Sequence, residues 1–302
     1  MPPPDPYPAS LLRLAVWSIA VAVAVLALKL VAWRLTGSVA LYSDALESIV
    51  NVVTAVAACL ALSYARRPAD SNHPYGHQKV EYLSAVLEGA LIMVAAAMIV
   101  MDAVQALMEP VQPVVSPLAI GFSVAATALN GLWARHLIRN GRRSRSPALE
   151  ADGHHLMSDV VTTGGVLAGL GLAWATGWPL LDPLLALAVT AHIVMQGWSV
   201  IRGSLAGLLD EAVEEEEQER IVSVIERSAS GALEVHDLVT RRSGPVTFIE
   251  FHLIMPGDMT VRDSHVICDR VEKALRMEDR GARITIHVEP EEMAKPEGHA
   301  LG

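Results

Sequence analysis

The sequence predicts an α-helical membrane domain of six transmembrane helices, followed by a small α/β domain of ferredoxin-like or metallochaperone-like αββαβ order. The chain of 302 residues is 52% hydrophobic and only 19% charged, and its mean hydropathy is +0.37. Six apolar stretches approach the roughly 20 residues that cross a bilayer. Residues 208–302 hold 21 acidic and 11 basic residues and so carry the whole net charge of −10. The first two thirds are therefore apolar and neutral, and the last third is polar and acidic.

The predicted spans lie at about residues 11–33, 38–64, 81–108, 114–138, 149–176 and 180–204. Residues 1–10 form an N-terminal tail that lacks the basic start of a signal peptide, so the first span is retained. We place the membrane domain at residues 11–207, the α/β domain at 208–290 and a disordered tail at 291–302.

Composition also excludes some functions. A net negative charge argues against nucleic-acid binding. Cys59 and Cys268 are far apart and form no CxxC pattern, so they indicate neither a disulfide framework nor a thiolate zinc site.

The basic residues predict the orientation in the membrane. They concentrate in the second and fourth connections: Arg66, Arg67, Lys79, Arg135, Arg139, Arg142, Arg143 and Arg145. Basic loops stay in the cytosol. Both termini and the α/β domain are therefore expected on the cytosolic side of the inner membrane.

The α/β domain is read from alternating polar and apolar runs. Helices are expected at about 212–229 and 261–277, and strands at about 235–242, 246–255 and 282–288. The turn residues 243–245, Ser-Gly-Pro, separate the first two strands. This order predicts a sheet with both helices on one face.

Polar residues inside two spans predict a metal site. Glu47 and Asn51 are four apart on the second helix, and His155 and Asp159 are four apart on the fifth, so each pair shares a helical face. Together they offer the four ligands of a tetrahedral Zn²⁺ site, and the same donors suit Mn²⁺, Fe²⁺ and Co²⁺. The alternative is that these residues form interhelical hydrogen bonds that stabilise a bundle.

A second candidate site follows the second span. Asp70, His73 and His77 have the spacing D-x2-H-x3-H, which puts one carboxylate and two imidazoles within reach of one ion. The alternative is a polar loop with incidental histidines. The α/β domain also contains several possible ligands whose spacing cannot show whether they meet: His236, His252, His265, His287 and Glu289.

Three stretches resemble the cation diffusion facilitator family, in particular its bacterial members with a cytosolic C-terminal domain. They are SVALYSDALE at 38–47, HPYGHQKVE at 73–81 and DGHHLMSD at 152–159. The resemblance implies a homodimeric metal exporter with two transport ligands on each of helices two and five. Glu47 and Asn51 stand where the family has Asp or His and then Asp, so the neutral amide removes one negative charge and leaves the metal open.

The resemblance also implies roles outside the membrane. It assigns a peripheral metal site to Asp70, His73 and His77, and a site near the dimer interface to the four histidines and Glu289 of the α/β domain. It further places Lys79 and Asp210 in charged contacts at the junction of membrane and cytosol.

The function expected from these residues is efflux of a divalent cation by alternating access, driven by proton antiport, and not enzymatic catalysis. Zn²⁺ is the expected ion, with Mn²⁺, Fe²⁺, Co²⁺ and Cd²⁺ as alternatives. Histidine titrates near neutral pH, which suits exchange of a metal for protons. A membrane-anchored metal sensor or storage protein, and an intramembrane metallohydrolase, stay as other classes. The second needs an open coordination position and a general base, and the sequence contains no HExxH motif.

Overall fold

The computed structural model of the chain describes residues 9–36, 39–108, 117–178, 180–296 and 298–301. The side chains of residues 9, 32, 35–36, 39–47, 119, 166, 169–171, 173–175 and 182 are not described. The chain divides into two compact units, one ending at Leu205 and the other beginning at Ala206. We call them the membrane domain and the C-terminal domain, and each is described by itself.

Six long helices build the membrane domain, as the sequence predicts. Their bounds are α1 (Ala9–Thr36), α2 (Val39–Ala65), α3 (Val80–Met108), α4 (Pro117–Ser144), α5 (Pro147–Thr176) and α6 (Leu181–Leu208). Most ends lie a few residues beyond the predicted spans because a helix continues past the apolar stretch until a turn stops it. The clearest case is α4, which runs through its arginine-rich end to Ser144.

Four of the described helices contain stretches long and apolar enough to cross a membrane, namely Ser10–Val31, Ser48–Ala65, Val80–Met108 and Pro183–Leu208. The other two, α4 and α5, pack against each other and also against α1 and α3 respectively. Their polar residues include Asn130, Asp152 and His155, all buried within the domain. Polar groups in spanning helices face the bundle interior rather than lipid. Hydropathy alone therefore fails to recognise α4 and α5 as membrane spans.

A glycine brings α5 close to α4. A Cβ at Gly153 would lie 2.9 Å from the backbone nitrogen of Ile138 and 3.1 Å from the carbonyl oxygen of Ala134. Small residues permit this close approach of helix backbones in membranes. The contact fixes the helical turn that carries His155.

The C-terminal domain is a four-stranded sheet with two helices. Its elements are α7 (Glu215–Ser228), β1 (Glu234–Ser243), β2 (Val246–Met255), α8 (Val261–Glu278), β3 (Arg283–Pro290) and β4 (His299–Ala300). The strand order is β3-β2-β1-β4. β1 is antiparallel to β2 and to β4, whereas β2 and β3 are parallel. Predicted helices and strands thus have the correct type and order.

The core of this domain lies between the helices and one face of the sheet. Ile225 of α7 and Val271 and Leu275 of α8 pack with Phe251 and Leu253 of β2. Side chains alternate along a strand, so His252, between the last two, points to the other face. The sheet therefore has one apolar face covered by helices and one face that carries histidines.

The prediction of a disordered tail at 291–302 is wrong for the described part of that segment. Residues Glu291–Met293 form a 3-10 turn, and β4 pairs with Glu234 and Val235 of β1. The amide of Leu301 also donates to the carbonyl oxygen of Leu233 at 2.9 Å. An edge strand presents unpaired backbone groups, and the tail satisfies those of β1 despite its polar composition.

Candidate metal sites

The membrane domain brings together three of the four predicted transport ligands. Asn51 of α2 donates a hydrogen bond from its amide nitrogen Nδ2 to Oδ2 of Asp159 on α5. The ring nitrogen Nε2 of His155 lies 2.9 Å from the amide oxygen Oδ1 of Asn51. Asn51 and His155 are only 2% and 4% exposed. The Glu47 side chain lies outside the described residues, although its place on α2 is one turn before Asn51.

Two further carboxyl groups extend this polar interior, and one was missed from the sequence. Asp152 and Glu88 are both fully buried. The Ser18 hydroxyl on α1 donates to Asp152 at 2.5 Å, and the Ser84 hydroxyl donates to Glu88 at 3.3 Å. Glu88 could have been recognised from the sequence, because an acidic residue inside the apolar third helix is unusual. Buried ionisable groups at membrane depth are a mark of ion pathways.

The loop between α2 and α3 brings Asp70, His73 and His77 together. Asp70 Oδ1 lies 3.2 Å from His73 Nδ1, and Asp70 Oδ2 lies 3.3 Å from His77 Nε2. The two imidazole rings are 4.5 Å apart between centroids. One ligand atom from each residue lies within 4.8 Å of the other two, so the three can hold one cation.

Local backbone structure shapes this loop. The carboxylate of Asp70 accepts from the backbone amides of Asn72 at 2.9 Å and His73 at 2.7 Å. These two hydrogen bonds lower the pKa of Asp70, with the bond from the His73 amide as the larger cause. They therefore favour the anionic carboxylate. Gly76 has φ +99°, a left-handed conformation that glycine adopts without strain. The turn it makes leads to the buried His77, whose Nδ1 faces the Arg67 carbonyl oxygen at 3.4 Å, and this leaves Nε2 for a metal.

The C-terminal domain aligns three of its predicted histidines across three adjacent strands. His236 pairs in register with His252, and His252 pairs with His287. Ring centroids are 5.2 Å apart in the first pair and 4.9 Å in the second. Glu289 approaches all three, with its oxygens 3.2 Å from His236 Nε2, 3.3 Å from His252 Nδ1 and 3.6 Å from His287 Nε2.

Hydrogen bonding prepares His236 as a ligand. Its Nδ1 lies 2.9 Å from Glu234 Oε1, and such a carboxylate fixes the tautomer that leaves the other ring nitrogen as an acceptor. That nitrogen, Nε2, and Oε2 of Glu289 are both buried without a hydrogen-bond partner among the described residues. Two acceptors that face each other at 3.2 Å attract a cation between them.

One ligand candidate was invisible in the sequence. Asp237 lies at a bulge between His236 and Val239, where the register of β1 and β2 shifts, and its φ is +51°. A bulge of this kind re-aims a side chain. Its carboxylate thereby joins His236 and His252, with one ligand atom of each within 4.8 Å of the others. Neither spacing nor strand alternation could reveal this.

The structure of one chain leaves two predicted groupings untested. His265 lies on α8, whereas the other three histidines lie on strands; it is 74% exposed, with Asp269 at 3.8 Å. Its place in their site, near the dimer interface, stays a prediction. Lys79 precedes α3 in the membrane domain, and Asp210 lies in the C-terminal domain, where it accepts from Arg241 at 3.2 Å.

Comparisons with known proteins cover nearly the whole chain. The model of the cation efflux transmembrane domain matches residues 15–209, and that of the cytoplasmic domain of cation efflux proteins matches 213–291. An uncharacterised transporter of Synechocystis sp., sll1263, is 44% identical over 94% of this chain and 92% of its own length. The cation-efflux pump FieF of Salmonella paratyphi A is 32% identical over 95% of both chains.

Among solved structures, CzrB in its zinc form, described as a candidate zinc transporter, is similar at 49% identity with a TM-score of 0.28. It covers 28% of this chain and 98% of its own. The family models together match most of the sequence, including the segments that carry the sites described above. The chain belongs to the cation efflux family of membrane transporters.

Proposed function

We propose that this cation efflux protein exports Zn²⁺ from the cytosol across the inner membrane, in exchange for protons, as a homodimer. The observation that carries the proposal is the convergence of Asn51, His155 and Asp159 in the interior of the membrane domain. Their atoms already contact one another across α2 and α5. Small movements of these side chains let Asn51 Oδ1, His155 Nε2 and an oxygen of Asp159 surround one ion.

The donor set is compatible with Zn²⁺, the ion we propose. Zinc sites take four ligands and commonly use imidazole and carboxylate groups. His155 and Asp159 supply one of each, the Asn51 amide oxygen is assigned to the third position, and Glu47 to the fourth. The alternative ions of the family, Mn²⁺, Fe²⁺, Co²⁺ and Cd²⁺, stay as competitors in the assay. The Asn51 amide is neutral, so its oxygen can select among these divalent ions through coordination geometry but not through charge.

Proton exchange follows from the chemistry of the same ligands. A metal binds only to a deprotonated carboxylate and to the lone pair of a neutral imidazole. Protons that enter from the outward-facing side therefore compete with the ion for Asp159 and His155. In the inward-facing state the ion displaces protons, and in the outward-facing state protons displace the ion, so a proton gradient drives export by alternating access.

The two other sites lie outside the transport path in this scheme. We assign a peripheral ion to Asp70, His73 and His77, and a regulatory ion to His236, His252, His287 and Glu289. His265 completes this second site only if it comes from the partner chain. Lys79 and Asp210 are assigned to charged contacts of the dimer at the junction of membrane and cytosol, with both termini in the cytosol.

The test is zinc uptake into proteoliposomes that contain a zinc-sensitive dye. Asp159→Ala is expected to abolish uptake, whereas the matched variant Asp102→Ala, an exposed acid on α3, leaves it unchanged. Equal uptake by wild type and Asp159→Ala contradicts the transport-site assignment. An imposed pH difference is expected to raise wild-type uptake, and a rate independent of that difference contradicts proton antiport. Adding each competing ion in turn identifies the preferred metal.

A further inference from the structure

The tail that begins at Lys295 contacts two acidic residues at the candidate metal site of the C-terminal domain. The Lys295 ammonium nitrogen Nζ is 2.6 Å from Oδ2 of Asp237. The Lys295 backbone amide donates to Oε1 of Glu234 at 2.9 Å. These two acids flank His236 along β1, and Glu234 also accepts from the His236 ring. The tail and the candidate site therefore share the same two carboxylates.

We propose that Asp237 is an additional ligand of this site, and that Lys295 competes with the metal ion for Asp237, so that metal binding releases the tail that begins at Lys295. The inference rests on the proposed metal binding by this domain. It adds a residue and a conformational response that the histidines and Glu289 alone do not provide.

The placement of Asp237 supports its role as a ligand. Its Oδ2 lies 3.8 Å from His252 Nδ1, and the bulge holds the residue at a positive φ of 51°. Aspartate tolerates the left-handed region better than most residues, but the conformation is still uncommon and over-determined by its surroundings. The bulge turns the carboxylate toward the imidazoles of His236 and His252.

The chemistry of Lys295 makes it a competitor. An ammonium group donates three hydrogen bonds and accepts none, so at Asp237 it takes the position that a metal cation takes in the same carboxylate. A divalent ion held by Asp237, His236 and His252 repels this positive charge. The two positive charges compete for the same carboxylate, so by linkage each weakens the binding of the other.

Beyond Lys295, few contacts attach the described part of the tail. Apart from β4, they include the Leu301 amide, which donates to the Leu233 carbonyl oxygen at 2.9 Å, and the Leu301 side chain, which packs against the core of the domain. β4 consists of two residues, which pair with Glu234 and Val235 at the edge of the sheet. A pairing of that length is marginal by itself. Loss of the Lys295 contact is therefore expected to make the tail detach from the edge of β1 more often.

Hydrogen–deuterium exchange of the full-length protein in detergent tests this inference. With chelator present, the peptide that contains residues 295–301 is expected to exchange slowly, and Zn²⁺ is expected to speed its exchange. Lys295→Met is expected to exchange fast under both conditions. Lys273→Met, a matched change of an exposed lysine on α8, is expected to behave as wild type.

Zinc titration of the same variants gives the second readout. Lys295→Met is expected to bind the zinc of this domain about 10-fold more tightly, within the usual range of coupling between two competing ligands. Asp237→Asn is expected to bind it more weakly. The zinc bound by the C-terminal domain is measured as the difference in bound zinc between wild type and His252→Ala.

Two failures can be told apart. If His252→Ala binds as much zinc as wild type, the domain holds no metal there, and both the inference and that part of the proposed function are overturned. If zinc binds but the tail exchange and the affinity of Lys295→Met are unchanged, only the competition between Lys295 and the metal is overturned.

Discussion

Asn51→Asp is the most informative single substitution in the membrane domain. The Asn51 amide donates to Asp159 through Nδ2 and faces His155 Nε2 at 2.9 Å through Oδ1. Aspartate has the same shape and keeps the oxygen that faces His155. It replaces the donor with a second carboxylate oxygen directed at Asp159. The variant therefore changes charge at the site while it preserves volume and position.

The size of the effect follows from Coulomb's law. Two unit negative charges about 3 Å apart repel by about 5 kcal/mol at an effective dielectric constant of about 20. The pair relieves this repulsion by binding a proton or a divalent cation. If the ion relieves all of it, zinc affinity rises by up to about three and a half orders of magnitude, at about 1.4 kcal/mol per factor of ten.

The assay is thermal unfolding of the full-length protein in detergent, with chelator and with increasing Zn²⁺. The variant is expected to melt below wild type in chelator and to gain more stability from each zinc concentration, because an ion that binds only the folded chain stabilises it. Asn130→Asp is the matched control, since Asn130 is also 2% exposed. It is expected to lower the melting temperature with no added response to zinc. An equal zinc response for Asn51→Asp and wild type refutes the reasoning.

Three further results are expected. His77→Ala removes a ligand whose Nε2 is 3.3 Å from Asp70, and it is expected to lower bound zinc by about one ion per chain; unchanged stoichiometry in equilibrium dialysis contradicts this. Gly76→Ala forces alanine to φ +99° and is expected to cost about 1–3 kcal/mol, seen as a lower melting temperature. The pKa of Asp237 is lowered from 3.8, first by the Lys295 hydrogen bond, so the stabilisation is present above pH 3.8 and lost as the pH falls further. In chelator, the tail is therefore expected to exchange faster at about pH 3 than at about pH 5.5 after correction for the intrinsic pH effect, and equal corrected exchange contradicts it.

The cluster of Asn51, His155 and Asp159 could be predicted from sequence because helical spacing is rigid. His155 and Asp159 are four apart on α5, so any regular helix puts them on one face. The contact with Asn51 needed only that α2 and α5 be neighbours. Glu88 was harder to recognise, since a single acid within an apolar helix has no partner at a fixed spacing.

The C-terminal domain shows what local patterns leave out. Alternation predicted β1 and β2, but the bulge that presents Asp237 depends on pairing between strands, which no single strand encodes. β4 was missed because its stability comes from the open edge of β1 and from the Lys295 contacts, not from its own composition. His265 was grouped with the strand histidines on resemblance alone, because no sequence spacing relates a residue of α8 to residues of the strands.

X-ray absorption spectroscopy of bound zinc tests the central claim most directly. The sample is a full-length variant that lacks the histidines of the loop and C-terminal sites, so that the transport site alone provides ordered ligands. The account predicts one imidazole with oxygen donors and no sulfur, and loss of the imidazole signal when His155→Ala is added. An imidazole signal that survives this change places the ion elsewhere and contradicts the account.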